Sequence, residues 1–362
     1  MDIIIFLIVL SILIVVHEFG HFIVAKRCGV RVERFSMGFG PKLFSKTYDG
    51  TEFMVCLIPL GGYVKMSGDE RALCKGSAEE FFSHPIGHRA AIVVMGPVVN
   101  YVLAYLCLVL VFLLGYPNIA NKVGEVMAGY PAAVAGLQTG DVVVRIDEQN
   151  IAHWEDLQQY VSESRGDSLR VKVLRQGQPL ELSVIPKKDV LKNIFGQEEQ
   201  VRVIGVKPSE DMVLLKYGPV ESFGKAGQRL WEITHTTYKA FYRMLTLKMN
   251  PKEAMTGPIG IFFIVKKAAS LGFTYLVYIM GVISASLAIF NLLPLPVLDG
   301  GHLFLLAIEK VRGRALSPRS DEFLNRVGLG LILSLALFVF YTDFERFGWI
   351  QKVLGFWKSL KG

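Results

Sequence analysis

The chain has 362 residues, 52% of them hydrophobic and 20% charged, with a formal net charge of +7 and a mean hydropathy of +0.40. That apolar balance excludes an ordinary soluble globular protein, while the length allows two or three domains. The positive charge comes without a basic cluster interleaved with aromatics, so it speaks for membrane topology and anionic lipid and against a nucleic-acid surface.

The first element is an apolar run from Ile3 to Ala25, enough for the about 20 residues that a helix needs to cross a bilayer. Met1-Asp2 offers no basic flank and no small-residue cleavage pattern precedes Lys26, so the run is expected to remain as an anchor. Residues 33–66 read as short strands with turns at Gly38-Phe39-Gly40-Pro41 and Tyr48-Asp49-Gly50. This small membrane-associated sheet is either a structural cap or an edge open to another extended chain. A second apolar run covers Ala90 to Leu114 and completes a first region, residues 1–114.

Residues 115–206 follow a different grammar. Short strands, a helical HWEDLQQYVSES and a hairpin predict a compact α+β domain centred on Val123 to Pro186. Its stretch GYPAAVAGLQTGDVVVRID resembles a PDZ domain, a fold that binds a peptide as an added strand; a spacer or gate that grips nothing is the plainer alternative. Residues 188–218 are too short for a second such unit. Residues 207–272 form an amphipathic helical region at the outer interface, with Phe223, Leu230, Tyr238, Phe241 and Leu245 at helical spacing among Lys225, Arg229, Lys239 and Arg243. Two more apolar runs, Phe273 to Leu298 and the shorter Val327 to Tyr341, fall in residues 273–342, and an amphipathic tail with Trp349 and Trp357 occupies 343–362.

The fold class is therefore a polytopic α-helical membrane protein of about four transmembrane helices, carrying a membrane-associated β-sheet and an inserted α+β domain. Lys26, Arg27, Arg31, Arg34, Lys42 and Lys46 follow the first run, and Lys310, Arg312, Arg314 and Arg319 precede the last. Such loops stay cytoplasmic, which puts the N-terminus, residues 115–272 and the C-terminus outside. Cys28, Cys56, Cys74 and Cys107 all avoid the outer segment and form no CxxC, so neither disulfides nor a cysteine zinc site is expected.

Inside the first run lies HEFGH, residues 17–21. On a helix His17 and His21 share one face, and Glu18, about 100° away, reaches its edge. His17 is roughly 21 Å along a helix that starts at Ile3, within a hydrocarbon layer of about 30 Å. Ionisable groups there cost at least about 2.5 kcal/mol each, so three in one turn imply a neutralising cation. Two imidazoles plus a third protein ligand, with water in the open position and Glu18 as the base, make a zinc hydrolase. The third ligand is expected from NLLPLPVLDGGH, where Pro294 and Pro296 break the helix; spacing does not choose between Asp299 and His302.

HEFGH, GFGPKLF after it, GPVVN at 96–100, the PDZ-like segment and NLLPLPVLDGGH together resemble the site-2 protease family of intramembrane zinc metalloproteases, in its bacterial RseP-type branch. The resemblance runs over nearly the whole chain in the right order. It implies zinc held by His17, His21 and Asp299, with Glu18 as catalytic base and Asn291 holding substrate or the oxyanion; Asn291 could instead satisfy carbonyls freed by the prolines. It further implies that Gly38, Phe39, Gly40 and Pro41 belong to an element, Gly38 to Phe44, that pairs with the unwound substrate. The implied substrate is a membrane-anchored, anti-sigma-factor-like protein already shortened by another protease, and the implied location is a bacterial inner membrane with the site towards the cytoplasm. Membrane lipid is a partner and nucleic acid is not. His84, His88, His153 and His235 match no ligand position.

Other classes fit less well. A silent PDZ-bearing adaptor would not need Glu18. A metal transporter needs a polar path, and Ala90 to Leu114 offers only Asn100 and tyrosines. Gly68-Asp69, Gly140-Asp141 and Gly166-Asp167 lie outside the apolar runs, which disfavours an aspartyl protease.

Overall fold

The computed structural model describes residues 2–71, 74–192, 198–315 and 317–347. Two compact units emerge, one formed by the chain up to Val111 and from Val220 onward, the other by Phe112–Pro219.

The first unit begins with helix α1 (Asp2–Arg27). Strands β1 (Val32–Tyr48) and β2 (Thr51–Met66) follow, then helix α2 (Ile86–Leu114). Each of the two strands is folded against the other twice. Residues 34–37 pair with 62–65 on one side and with 52–55 on the other, while 42–48 pair back onto 51–56. The result is a four-stranded ribbon with residues 62–66 at one margin. The turn at Asp49-Gly50 is present, with φ of 46° and 73°. The turn expected at Gly38 to Pro41 is present too: residues 34–37 run parallel to 52–55 and 42–48 run antiparallel to them, so the chain reverses at 38–41, where Gly38 and Gly40 adopt φ of 94° and 86° without a break in β1. A Cβ on Gly38 would lie 2.6 Å from the Ile58 carbonyl oxygen, so only glycine lets the two layers approach.

The second unit holds β3 (Tyr116–Ile119), β4 (Val123–Val126), α3 (Pro131–Val134), β5 (Val142–Ile146), β6 (Gln149–Asn150) and α4 (Trp154–Glu163). It continues with β7 (Leu169–Arg175), β8 (Gln178–Val184), β9 (Lys187–Lys192), β10 (Glu198–Val203), β11 (Val206–Pro208) and β12 (Met212–Leu215). Its main sheet has the order β6-β5-β7-β8, flanked by the pairs β3-β12, β4-β11 and β9-β10. Alternation on β7 buries Leu169, Val171 and Val173, and β5, with a register shift between Val143 and Arg145, buries Val143 and Ile146; Leu157 and Val161 of α4 pack on them. Asp141, in the Gly140-Asp141 turn, accepts from the Gln138 N–H and grips Arg175 of β7 through both oxygens. It is a structural carboxylate.

The first unit resumes with α5 (Pro219–Leu245), α6 (Pro251–Ala254), α7 (Pro258–Leu271), α8 (Phe273–Asn291), α9 (Asp299–Arg312) and α10 (Pro318–Arg346). In α5 the predicted apolar stripe divides. Leu230 is buried, whereas Phe223, Tyr238 and Leu245 stay exposed beside Trp231. The helix is tied down by polar contacts instead, Thr234 with Tyr101, Arg229 with Tyr278, and the Phe223 carbonyl with the Tyr105 hydroxyl. Val9 and Leu13 of α1 pack with Val265 of α7 in a dry seam that also takes in Leu276 and Leu287 of α8.

Among the described residues four helices are long and apolar enough to cross a membrane: Asp2–Arg27, Ile86–Leu114, Phe273–Asn291 and Arg319–Arg346. The third apolar run is shorter as a helix than as a sequence, because α8 stops at Asn291 and Leu292 to Leu298 are irregular around Pro294 and Pro296. The fourth is longer, since Ser317 caps α10 well before Val327. The tail with Trp349 and Trp357 lies outside the described residues.

Candidate metal centre

Two glycines bring α1 and α2 together. A Cβ on Gly20 would sit 2.5 Å from the Met95 carbonyl oxygen, and one on Gly96 would sit 2.3 Å from His21 Nε2. His17 and His21 therefore turn their imidazoles into a seam that α2 walls off. From the opposite side the chain folds back after α8, and the first residue of α9, Asp299, enters the same seam. This fold-back needs glycine at the next two positions: a Cβ on Gly300 would meet the Leu292 and Leu293 carbonyl oxygens at 2.3 Å, and one on Gly301 the Leu295 carbonyl oxygen at 2.1 Å. Val297, with φ of 77°, carries the reversal.

The three side chains converge. His17 Nε2 lies 3.1 Å from Asp299 Oδ2 and His21 Nε2 lies 3.5 Å from Oδ1, while the two Nε2 atoms are 3.2 Å apart. Metal–ligand bonds of about 2.0–2.1 Å in a tetrahedron separate ligand atoms by roughly 3.3 Å, which is the spacing seen. Two further observations bear on the fit. Asp299 Oδ2 is buried and makes no hydrogen bond, so an acceptor is aimed at the point shared by the two nitrogens. His21 Nδ1 is 2.9 Å from the Ile92 carbonyl oxygen. A carbonyl only accepts, so Nδ1 carries the proton and the Nε2 lone pair faces the cluster. The residues fit a zinc ion, and among the described residues this trio forms the cluster able to hold a metal.

Beside it lies a cavity of about 590 Å³. Glu18 and Asn291 line it, as do Tyr63 and Val64 of the marginal strand, together with Asp69 and His302. The Glu18 carboxylate is within reach of the Val64 backbone, and Asn291 Nδ2 is 3.4 Å from His17 Nε2. Of the residues at 38–41, Phe39 stacks its ring on Tyr63 at a centroid distance of 6.1 Å; the strand that itself borders the cavity is 62–66. His302, the other third-ligand candidate, lines the cavity without joining the cluster. Asp69 receives the Met66 N–H. His153 caps α4.

Sequence reasoning missed what stands behind the site. GPVVN gives Gly96 and Asn100 no role by itself, yet Asn100, fully buried, places Nδ2 3.4 Å from His17 Nδ1. Missed as well is a buried charge cluster in which Glu309 of α9 accepts from Arg89 of α2 at 2.6 Å and from Arg71, with Phe82 stacked over the Arg71 guanidinium. The only sequence signal was charge flanking apolar runs.

Residues 5–335 match peptidase family M50. The chain belongs to that family. It is thus a zinc metalloprotease, as its relatives indicate. The M50 protease is 32% identical to the regulator of sigma-E protease RseP of Escherichia coli, over 94% of this chain and 98% of that one. It is 34% identical to a protein of Agrobacterium fabrum named as a candidate zinc metalloprotease, over 93% and 94%, and 35% identical to one of Brucella suis so named, over 93% of each. The Escherichia coli alignment spans 448 positions, more than the 362 residues here, whereas the Agrobacterium alignment needs 355. The M50 protease accordingly lacks a stretch that the longer relative has. A PDZ domain of an SdrC-like protein from Listeria innocua covers 25% of the chain and 96% of its own length at 22% identity, with a TM-score of 0.21, too low to bear on the fold.

Proposed function

We propose that the chain is an intramembrane zinc endopeptidase that cuts within the transmembrane segment of a single-span protein in a bacterial inner membrane. The observation that carries this reading is the meeting of His17, His21 and Asp299 beside Glu18, on helices long enough to span and next to an uncovered strand margin. His17, His21 and Asp299 hold the metal, which when bound acidifies water and polarises a carbonyl. Glu18 takes a proton from the attacking water and hands it to the leaving amine. Asn291 offers an amide donor to the oxygen on which charge develops.

A helical peptide bond is shielded and its carbonyl already bonded, so the substrate must be extended before it is cut. Residues 62–66 supply a strand margin for that pairing, with Phe39 stacked on Tyr63 beside it. This moves the pairing role from the 38–41 stretch to its neighbour.

Basic loops set the site towards the cytoplasm and the 112–219 unit outside. We read that unit as PDZ-like and as a screen for substrates another protease has shortened. The name of the Escherichia coli relative supports an anti-sigma-factor-like substrate. The test is to purify the protein in detergent, measure zinc, and follow cleavage of single-span substrates with and without Glu18→Gln. Expected are about one zinc per chain in both and cleavage only in the wild type. An adaptor without chemistry would leave the cellular effect of Glu18→Gln intact, and that result would overturn the reading.

A further inference from the structure

Behind the metal ligands, α2 presents two groups to the two imidazoles. The Ile92 carbonyl fixes the proton of His21 on Nδ1. His17 has no carbonyl at its Nδ1; it has the terminal amide of Asn100, with Nδ2 at 3.4 Å. Asn100 is 0% exposed, and its Oδ1 is buried without a hydrogen-bond partner. A buried amide with one idle end is costly and needs an explanation. Its main chain is secured independently, the Ser284 hydroxyl of α8 donating to the Asn100 carbonyl at 2.8 Å.

An imidazole that gives its Nε2 lone pair to a cation must carry its proton on Nδ1, and that proton then needs an acceptor. With the Asn100 amide as it stands, Nδ2 donates to Nδ1, which leaves the proton of His17 on Nε2, facing Asp299 Oδ2 at 3.1 Å and His21 Nε2 at 3.2 Å. A half-turn of the same amide occupies the same volume and brings Oδ1 to Nδ1 instead. The amide therefore serves either tautomer of His17, and the oxygen left idle in one state is the partner required in the other.

Resting on the zinc-protease reading, we propose that Asn100 is a positioning residue for the metal: its amide turns over when the ion binds, so that Oδ1 accepts from His17 Nδ1–H and holds Nε2 free as a ligand. This gives the GPVVN stretch two separate duties, Gly96 making room for the imidazoles and Asn100 setting the proton of one of them.

The experiment uses the detergent-purified full chain and zinc alone, with affinity read by competition against a chromogenic chelator and folding read by thermal unfolding in EDTA. Asn100→Leu keeps the volume and removes the acceptor, while Asn100→Asp keeps an acceptor and cannot donate. Expected is a zinc affinity about 10–100-fold weaker in Asn100→Leu, with its metal-free unfolding midpoint unchanged, and an affinity in Asn100→Asp within about threefold of wild type or tighter. A side chain needed only for packing gives the reverse ranking, with Leu harmless and a buried carboxylate damaging; either equal affinity in Asn100→Leu or a loss of about tenfold or more in Asn100→Asp overturns the proposal. If Asn100→Leu does not fold, Asn100→Asp decides alone by the same limits. Wild-type protein that binds no zinc removes the protease reading and this proposal together, whereas wild-type binding with an unaffected Asn100→Leu removes this proposal only.

Discussion

Gly96 stands so close to His21 that a Cβ at position 96 would lie 2.3 Å from Nε2 and 2.5 Å from Cε1. The absent side chain is therefore part of the candidate metal centre. Gly96→Ala is expected to force either the imidazole out of the cluster or α1 away from α2. Overpacking of this kind costs roughly 1–3 kcal/mol. Bound zinc, measured by mass spectrometry of the metal, should fall to a small fraction of the wild-type content while the protein still inserts in membranes. Full zinc occupancy in this variant would contradict the arrangement.

The chain reversal after α8 places Asp299, and not His302, between the imidazoles. Asp299→Ala should lose most of the about one zinc per chain, and His302→Ala should keep it. Metal analysis of both variants, each checked for folding by thermal unfolding in EDTA, decides the ligand. Zinc retained in Asp299→Ala would move the third ligand elsewhere.

Glu309 holds α9 to α2 through Arg89 and to the segment before Phe81 through Arg71. Glu309→Leu leaves the buried Arg89 guanidinium without its carboxylate and Arg71 with Asp321 alone, at a cost of roughly 3–5 kcal/mol. Because Asp299 opens the same helix, zinc affinity should fall along with the unfolding midpoint. A variant that keeps wild-type stability would show that the cluster carries no strain when broken.

In the 112–219 unit, burial pushes the Asp141 carboxyl up, and the Arg175 guanidinium with the Gln138 N–H outweighs it, holding the group below its ordinary value. A carboxylate depressed on folding stabilises above its unfolded pKa of about 3.9, and that contribution is lost as pH falls through the lower folded value. Resistance of this unit to proteolysis in urea should be flat from about pH 7 to pH 5 and decline below about pH 4. Arg175→Leu should lower the stability of the unit and weaken the decline. The same acid sensitivity in the variant would assign it to other carboxylates.

Much of this protein is legible in one dimension. HEFGH places two candidate ligands on one helix face with a carboxylate at its edge because residues four apart on a helix are neighbours whatever the rest of the chain does, and the apolar runs declare their helices because lipid-crossing length is a local property. The break at Pro294 and Pro296 is local too, since a missing N–H ends a helix where it stands. Spacing does not choose between Asp299 and His302 and only the resemblance points to Asp299, because the choice depends on a fold-back tight enough to demand glycine at 300 and 301 against the carbonyls of 292–295. Nor is the margin strand legible: the turns at Gly38 to Pro41 and Asp49-Gly50 are local, but the folding of the β1–β2 pair back on itself, which leaves 62–66 beside Glu18, is not. Gly96, Asn100 and the Ile92 carbonyl acquire meaning only from the packing of α2 on α1, because hydrogen bonds and close contacts are set by distances through space that spacing along the chain does not encode.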